Sequence, residues 1–311
     1  MRELIVLGTA SQVPTRHRNH NGYLLLWDGS GILFDPGEGT QRQMSLAGIA
    51  VSSIDRICIT HFHGDHCLGL PGITQRLSLD GVDHPVRIHY PASGQLYLDR
   101  LLGASVFEPR AELLLEPVRA PGPVDSDALY TISAERLDHV PETFGWRVEE
   151  PAGRTLLPEC LREAGIEGPD VGKLVREGSL RVPSGRLVML EEVSVARAGQ
   201  VVAFIMDTRY CEAAVRLASG ADLLVCEATF ADGEAELAVA YHHLTARQAG
   251  EIAAASGARQ LVITHFSQRY PNEQVLIDQA RAVFPDAIAA RDLMRIPLPH
   301  RRTHKPQGFE R

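Results

Sequence analysis

The stretch THFHGDHCLG, residues 60–69, constrains this chain more than any other. Three histidines and an aspartate fall within six positions, directly after the β-branched run RICIT at 56–60. A strand ending in His-x-His-x-Asp-His brings imidazoles and a carboxylate to its tip, where they can point into one cleft. Crowding titratable groups in this way costs free energy, and a bound metal offsets that cost. The spacing does not fit the H-E-x-x-H pattern of a helix-borne zinc site. A single histidine at a strand end is usually structural. Ligand chemistry repeated over so few positions argues instead for a metal centre.

The rest of the chain reads as mixed α/β. ELIVLG (3–8), YLLLW (23–27) and GILFD (31–35) are strand-like, and the loop TASQVPTRHRNHN between the first two is polar and basic. PGEGTQRQMSLAG reads as a turn leading into a helix. After the histidine cluster come a helix over 70–79, the strand VRIHY and a helix near 93–103. LYTISAERLDHV and TFGWRVEE continue as strands. The second half alternates strand and helix: VVAFIMD, CEAAVRLAS, DLLVCEA, TARQAGEIAAAS, QLVITHF, NEQVLIDQARAVF and AIAAR. A β-meander joined to βα units suggests two sheets face to face with helices outside. Residues 151–193 break the pattern. They are rich in Pro and Gly, show no clean amphipathic period except near 156–165, and read as an inserted arm. Residues 300–311 are basic and read as a flexible tail.

Composition excludes several classes. The 311 residues suit one large domain or two small ones, with ample length for a buried core. No apolar run approaches the ~18 residues of a membrane span, and Leu4–Leu7 is too short for a signal-peptide core. The five cysteines are scattered and lack CxxC spacing, which argues against a disulfide framework and fits a reducing cytoplasm. With a net charge of -8 the whole molecule does not attract polyanions, so any nucleic-acid binding must come from local patches.

The histidine cluster matches the metallo-β-lactamase signature, which implies an αββα sandwich whose loops converge on one edge of two sheets. The resemblance implies further ligands downstream: His139 in RLDHVPETFGWRVEE, Asp207 in VVAFIMDTR and His265 in LVITHFSQRY. By carry-over, His61, His63 and His139 hold one zinc, Asp65, His66 and His265 hold a second, and Asp207 bridges them, giving two zinc ions per subunit. LFDPGEGTQRQM, THFHGDHCLGLPG, DHVPETFGWRVEE, MDTR, CEATFAD, YHHLTARQAGEIA and ITHFSQRY occur in order and together resemble the ribonuclease Z family of tRNA 3′-processing endonucleases. The resemblance runs nearly end to end.

That family's residues carry over one at a time. Asp65 is implied as the general base as well as a ligand. His243 in HHLT matches the histidine of the family's His-x-Thr motif, beside the metals, and Glu227 in CEATF matches the glutamate that pairs with it. Ser267 and Arg269 in SQRY are candidates for gripping a phosphate. The arm corresponds to the family's tRNA-binding arm. Its charges nearly cancel overall, but Lys173, Arg176, Arg181 and Arg186 make the stretch 172–187 basic. The resemblance further implies precursor tRNA as substrate, a homodimer in which one subunit's arm serves the other's active site, no membrane contact and a cytoplasmic location. Three departures stand out. Met206 replaces the usual glycine before the bridging aspartate, Cys226 replaces a common histidine, and Cys67 follows the histidine cluster where it could see the metal. An alternative reading is a phosphodiesterase or sulfatase of the same superfamily acting on small diesters, which would need no arm.

Overall fold

The structure, a computed structural model, describes residues 2–299; the tail expected at 300–311 lies outside them. The described residues divide into two compact units, 2–149 with 201–299, and 150–200.

The first unit holds two seven-stranded sheets. One is built from β1 (Arg2–Gly8), β2 (Gly22–Trp27), β3 (Ser30–Phe34), β4 (Arg56–Cys58), β5 (Val86–Pro91) and β6 (Leu113–Val118), with β18 (Arg295–Pro297) added beside β1. The other runs β17-β16-β15-β14-β9-β8-β7, from β7 (Gly122–Ser126), β8 (Thr131–Arg136), β9 (Phe144–Glu149), β14 (Val201–Ile205), β15 (Leu223–Glu227), β16 (Leu261–Thr264) and β17 (Ala287–Ala289). Each sheet is half antiparallel and half parallel. The parallel pairs are β3–β4, β4–β5 and β5–β6 in one, and β14–β15, β15–β16 and β16–β17 in the other.

Period-two alternation explains the layering. Leu4 and Val6 of β1, Tyr23, Leu25 and Trp27 of β2, and Phe34 of β3 pack in one core with Trp146, Val202, Phe204 and Val225 of the other sheet. The intervening Ile5, Leu7, Leu24 and Leu33 belong to a second core, shared with helices α1 (Thr40–Leu46), α3 (Leu70–Leu79) and α4 (Gln95–Leu102). Ala203, Ile205, Leu224 and Ile263 likewise face α7 (Glu212–Leu217), α9 (Ala246–Ser256) and α10 (Gln274–Arg281). Strands buried on both faces read as unbroken apolar runs, as VVAFI and LLVCE do. The result is an αββα sandwich.

Several strands escape a sequence reading for a physical reason. β6, β7 and β18 lie at sheet edges and carry Pro117, Pro123 and Pro297. Proline donates no ladder hydrogen bond, so it is tolerated there but erases the strand signal. Helix α8 (Ala235–Tyr241) fully buries only Ala238 and has equally little periodicity to show. Conversely, LYTISAERLDHV is a strand only to Arg136; its last residues form the loop that carries His139.

The second unit has its own small core. Strands β10 (Gly153–Leu156) and β13 (Ser194–Arg197) pair, as do β11 (Ser179–Arg181) and β12 (Leu187–Met189). With α5 (Pro158–Glu163) and α6 (Pro169–Glu177) they bury Leu161, Leu174, Leu180, Val188 and Val193. Regular structure therefore extends well beyond the 156–165 stretch. Helix α6 is amphipathic, with Leu174 fully buried, contrary to the expectation of no such period outside 156–165; the Pro169, Gly172 and Gly178 that bound and interrupt it obscure the pattern in the sequence.

Candidate metal centre

The carboxyl ends of the parallel strands in both sheets open at one edge, the usual place for a ligand in such sheets. β3 leads to Asp35, β4 to His61 and His63, β14 to Asp207, and β16 to His265. The chain must leave each strand sharply. Among the described residues, six non-glycine positions have positive φ, and four of them are here: Asp35 (43°), Asp207 (40°), His242 (58°) and His265 (61°). Backbone of that kind costs of order 1–3 kcal/mol per residue and persists only where the surroundings enforce it. The short helix α2 (Gly64–Cys67) turns Asp65 and His66 back under the cluster. This needs a close approach: a Cβ on Gly37 would lie 2.2 Å from the carbonyl oxygen of Asp65.

All seven candidate ligands converge. His61 Nε2 lies 3.0 Å from His63 Nδ1, which lies 3.4 Å from His139 Nε2. Asp207 Oδ2 stands 3.4 Å from His61 Nε2 and 3.7 Å from His139 Nε2. On the other side, Asp65 Oδ2 is 3.3 Å from both His66 Nε2 and His265 Nε2. Asp207 reaches this group as well, with Oδ2 3.4 Å from His66 and Oδ1 3.2 Å from His265. A tetrahedral metal with ligand bonds of 2.0–2.1 Å sets its donor atoms about 3.3–3.4 Å apart. The observed separations scatter around that edge length in two groups that share Asp207. Asp207 Oδ1 is buried and lacks a hydrogen-bond donor among the described residues, a costly state for a carboxylate that a cation would relieve. The residues present therefore fit a metal.

The electrostatics agree. Burial, helped by His66, pushes His61 down to about 3, leaving a neutral imidazole with a lone pair to give. Burial opposes ionisation of Asp65 and Asp207. The charge of His66 and His265 outweighs it and holds both carboxyls well below the usual carboxylate range.

His243 stands beside the candidate ligands and forms with Asp207 and His265 a third group of possible donors, but its nearest partner is a carboxylate outside the seven. Its Nδ1 is 3.1 and 3.2 Å from the two carboxylate oxygens of the buried Glu227, and 4.0 Å from Asp207 Oδ1, longer than a ligand edge. Nε2 makes no hydrogen bond among the described residues. Burial disfavours the charged imidazole, but Glu227 and Asp207 prevail and push it up to about 9. Ser267 and Arg269 line the same cleft, of about 520 Å³, with His63, Asp65 and His243. Arg269 is already engaged: Nη1 donates to Glu234 at 2.8 Å and the guanidinium lies over the Phe230 ring. The basic residues of 172–187 lie in the second unit. Lys173 and Arg176 are exposed on α6, Arg181 donates to the Gly185 carbonyl, and Arg186 pairs with Glu192. The three departures leave the ligands in place. Met206 is buried between the sheets and Cys226 among the helices of the outer face. Cys67 does not face the centre: its thiol donates to the His63 carbonyl, and burial pushes it up to about 12.

Sequence reading passed over the residues that orient the ligands. Asp35 Oδ2 accepts from His66 Nδ1 at 2.8 Å, and the same carboxylate takes the amide and hydroxyl of Thr60. The carbonyl of His242 accepts from His139 Nδ1 at 2.9 Å. Thr229 donates to Glu227 Oε2 at 2.6 Å, and its hydroxyl oxygen accepts from His265 Nδ1 at 2.7 Å. Each bond fixes a tautomer and turns the other ring nitrogen toward the centre. One signal was present for Asp35: GILFD ends an apolar strand in aspartate, as VVAFIMD does.

The sandwich and a His/Asp centre at its strand ends define the metallo-β-lactamase class. Residues 15–155 match the family model described as "Metallo-beta-lactamase superfamily", and residues 192–266 match "Beta-lactamase superfamily domain". The chain is 57% identical over 303 residues to the Ribonuclease Z of Nocardia farcinica, covering 97% of this chain and 99% of that protein. It is 55% identical over 304 residues to the Ribonuclease Z of Streptomyces coelicolor, with the same coverage, 97% and 99%. The crystal structure of the short form of human tRNase Z superposes with a TM-score of 0.70 at 24% identity, covering 96% of this chain and 100% of that one. This chain belongs to the ribonuclease Z family.

Thr229 offers a direct check on the orienting bonds. Thr229→Val keeps the shape of this buried side chain but leaves His265 Nδ1 without its acceptor and takes one of two donors from Glu227 Oε2. It should weaken metal binding about 10–100-fold in a chelator competition titration, while Thr229→Ser holds near the parent value. Equal affinity in parent and valine variant would mean that Thr229 does not set His265.

Proposed function

We propose that this chain is a two-zinc endoribonuclease that removes 3′ trailers from precursor tRNA. It cuts after the discriminator nucleotide, leaving a 3′-hydroxyl on the tRNA and a 5′-phosphate on the trailer. The observation that carries this reading is the convergence of seven metal-ligand candidates beside a His243–Glu227 pair, with His63, Asp65, His139, Asp207, His243 and His265 lining one cleft. Near-full-length identity to proteins named Ribonuclease Z supports it.

His61, His63 and His139 would hold one zinc, Asp65, His66 and His265 the other, and Asp207 both. When bound, two such ions supply a water made acidic enough to attack at neutral pH and positive charge for the attacking and leaving oxygens. Asp65 is ionised at the mouth of this cluster and accepts the proton that the water loses. His243 keeps a proton at neutral pH because Glu227 and Asp207 favour its charged form. With Nδ1 held by Glu227, His243 has Nε2 free to protonate the departing 3′-oxygen. Ser267 would donate to a phosphate oxygen. Arg269 would do so by exchanging Glu234 for the substrate, which keeps its fork-shaped donors in one place until then.

Recognition of a tRNA needs contacts remote from the scissile bond. The chain carries net charge -8, so local cations must supply them. Lys173, Arg176, Arg181 and Arg186 of the arm are the proposed phosphate contacts, and Arg186 would first have to leave Glu192. A cytoplasmic homodimer, each arm serving the partner's active site, completes the reading. The five cysteines are all free thiols, as a reducing compartment requires.

A 3′-extended tRNA transcript tests the assignment. Cleavage should fall at a single bond after the discriminator, with a tRNA 3′-hydroxyl and a trailer 5′-phosphate identified by end mapping. Scattered cuts, or turnover of small diesters alone, would favour the small-diester phosphodiesterase. His243→Ala should keep its metal content while kcat falls roughly 10²-fold or more, the size of a general-acid contribution. Loss of metal in that variant would instead make His243 a ligand.

A further inference from the structure

The cleft that holds the metal ligands is not polar throughout. Val13, Val140 and Tyr241 line it while remaining 38%, 69% and 61% exposed. Single exposed apolar side chains are ordinary on a surface. Three around one charged cleft are a composite site, with one part suited to a phosphate and another to a flat apolar group.

Tyr241 is held in position from two sides. It is the last residue of α8, and the chain turns immediately through the left-handed His242 into His243. Its ring lies nearly parallel to that of Phe230, at 14° with centroids 6.5 Å apart, and Phe230 is itself buried. The turn is fixed in addition by His242, whose carbonyl orients His139, and by His243 N–H, which donates to the Ala238 carbonyl at 2.8 Å. Tyr241 thus presents a rigid aromatic surface two residues from the proposed proton donor.

We propose that Tyr241, backed by Phe230, is a stacking platform for the base of the discriminator nucleotide. This rests on the endoribonuclease reading above. The identity of the base follows from the direction of the cut. The products proposed are a tRNA 3′-hydroxyl and a trailer 5′-phosphate, so the leaving oxygen is the 3′-oxygen of the discriminator ribose. His243 protonates that oxygen, and the base on the same sugar therefore lies on the His243 side of the cleft, where Tyr241 stands. The discriminator is unpaired, so its π-face is open to a side chain, and stacking tolerates any base. Specificity for the cleavage position then arises without reading sequence: the single unpaired nucleotide after the acceptor stem docks on the platform and sets its own 3′-phosphate against the metal ligands.

The test uses the full-length metal-loaded protein and precursor tRNAs with 2-aminopurine at either the discriminator or the first trailer position. A methylphosphonate at the scissile linkage blocks cleavage. Binding should quench fluorescence at the discriminator strongly and at the trailer position little. Tyr241→Ala should lose most of the quench and raise KM for unmodified precursor about tenfold or more, the range expected for one lost base–aromatic stack. Tyr241→Phe and Tyr241→Trp should restore both, because the ring and not the hydroxyl carries the contact. Metal content and sedimentation of each variant are read in parallel. Quenching confined to the trailer position, a KM within twofold of the parent in Tyr241→Ala, or dissociation of a dimer by that substitution would overturn the proposal; the last result would mean that a second copy covers the ring. Failure of the parent protein to cleave unmodified precursor would sink the endoribonuclease reading itself, and the platform with it. Correct cleavage with an unresponsive discriminator probe would sink the platform alone.

Discussion

Asp207 is the constraint on which the site depends. It is a buried carboxylate within 3.2–3.7 Å of four imidazoles, on a left-handed backbone turn, with one oxygen lacking a donor. Leaving such a group unpaired in the interior costs several kcal/mol. The surrounding histidines cannot all be protonated, since burial and repulsion from His66 drive His61 down to about 3. A cation held by each group of donors would resolve both problems. The sharp exits of β3, β14 and β16, the close approach at Gly37 and the hydrogen bonds from Asp35, Thr229 and the His242 carbonyl all serve that one arrangement.

The sheets explain how a chain brings those donors together from sequence positions as distant as 35 and 265. Both halves of the sandwich change from antiparallel to parallel pairing, and both send the carboxyl ends of their parallel strands to the same edge. Inward and outward alternation then fixes the register of every donor. Cys226 packs on the helical face, so its neighbour Glu227 must point the other way, into the site and onto His243. A one-residue slip of β15 would bury the glutamate among alanines and leave the proton donor unsupported.

Much of this was legible in the residues, and the reason is chemical. The crowded run His61, His63, Asp65 and His66 stands out by its own spacing, whereas His139, Asp207, His265, Glu227 and His243 are single residues that only the family resemblance picks out. The helix over 70–79 and the buried strands are equally plain because their side chains repeat at the right period. What was not legible depends on tertiary geometry. Asp35 and Thr229 have no pattern of their own; they matter because a strand exit and a turn place them on His66 and His265. The edge strands β6, β7 and β18 hide behind proline, and the engagement of Arg269 by Glu234 or Arg186 by Glu192 leaves no sequence trace. Adjacency to the histidine cluster left open that Cys67 sees the metal, but one helical turn directs its sulfur at a carbonyl.

Metal stoichiometry tests the central claim most directly. If the proposed reading holds, gently purified protein should carry two zinc ions per chain by elemental analysis, and Asp207→Ala should lose both sites together, because its carboxylate approaches both groups of donors. Activity should vanish in strong chelator and return with added metal. Protein that reproducibly contains no metal, yet cleaves at full rate in chelator, would contradict the account.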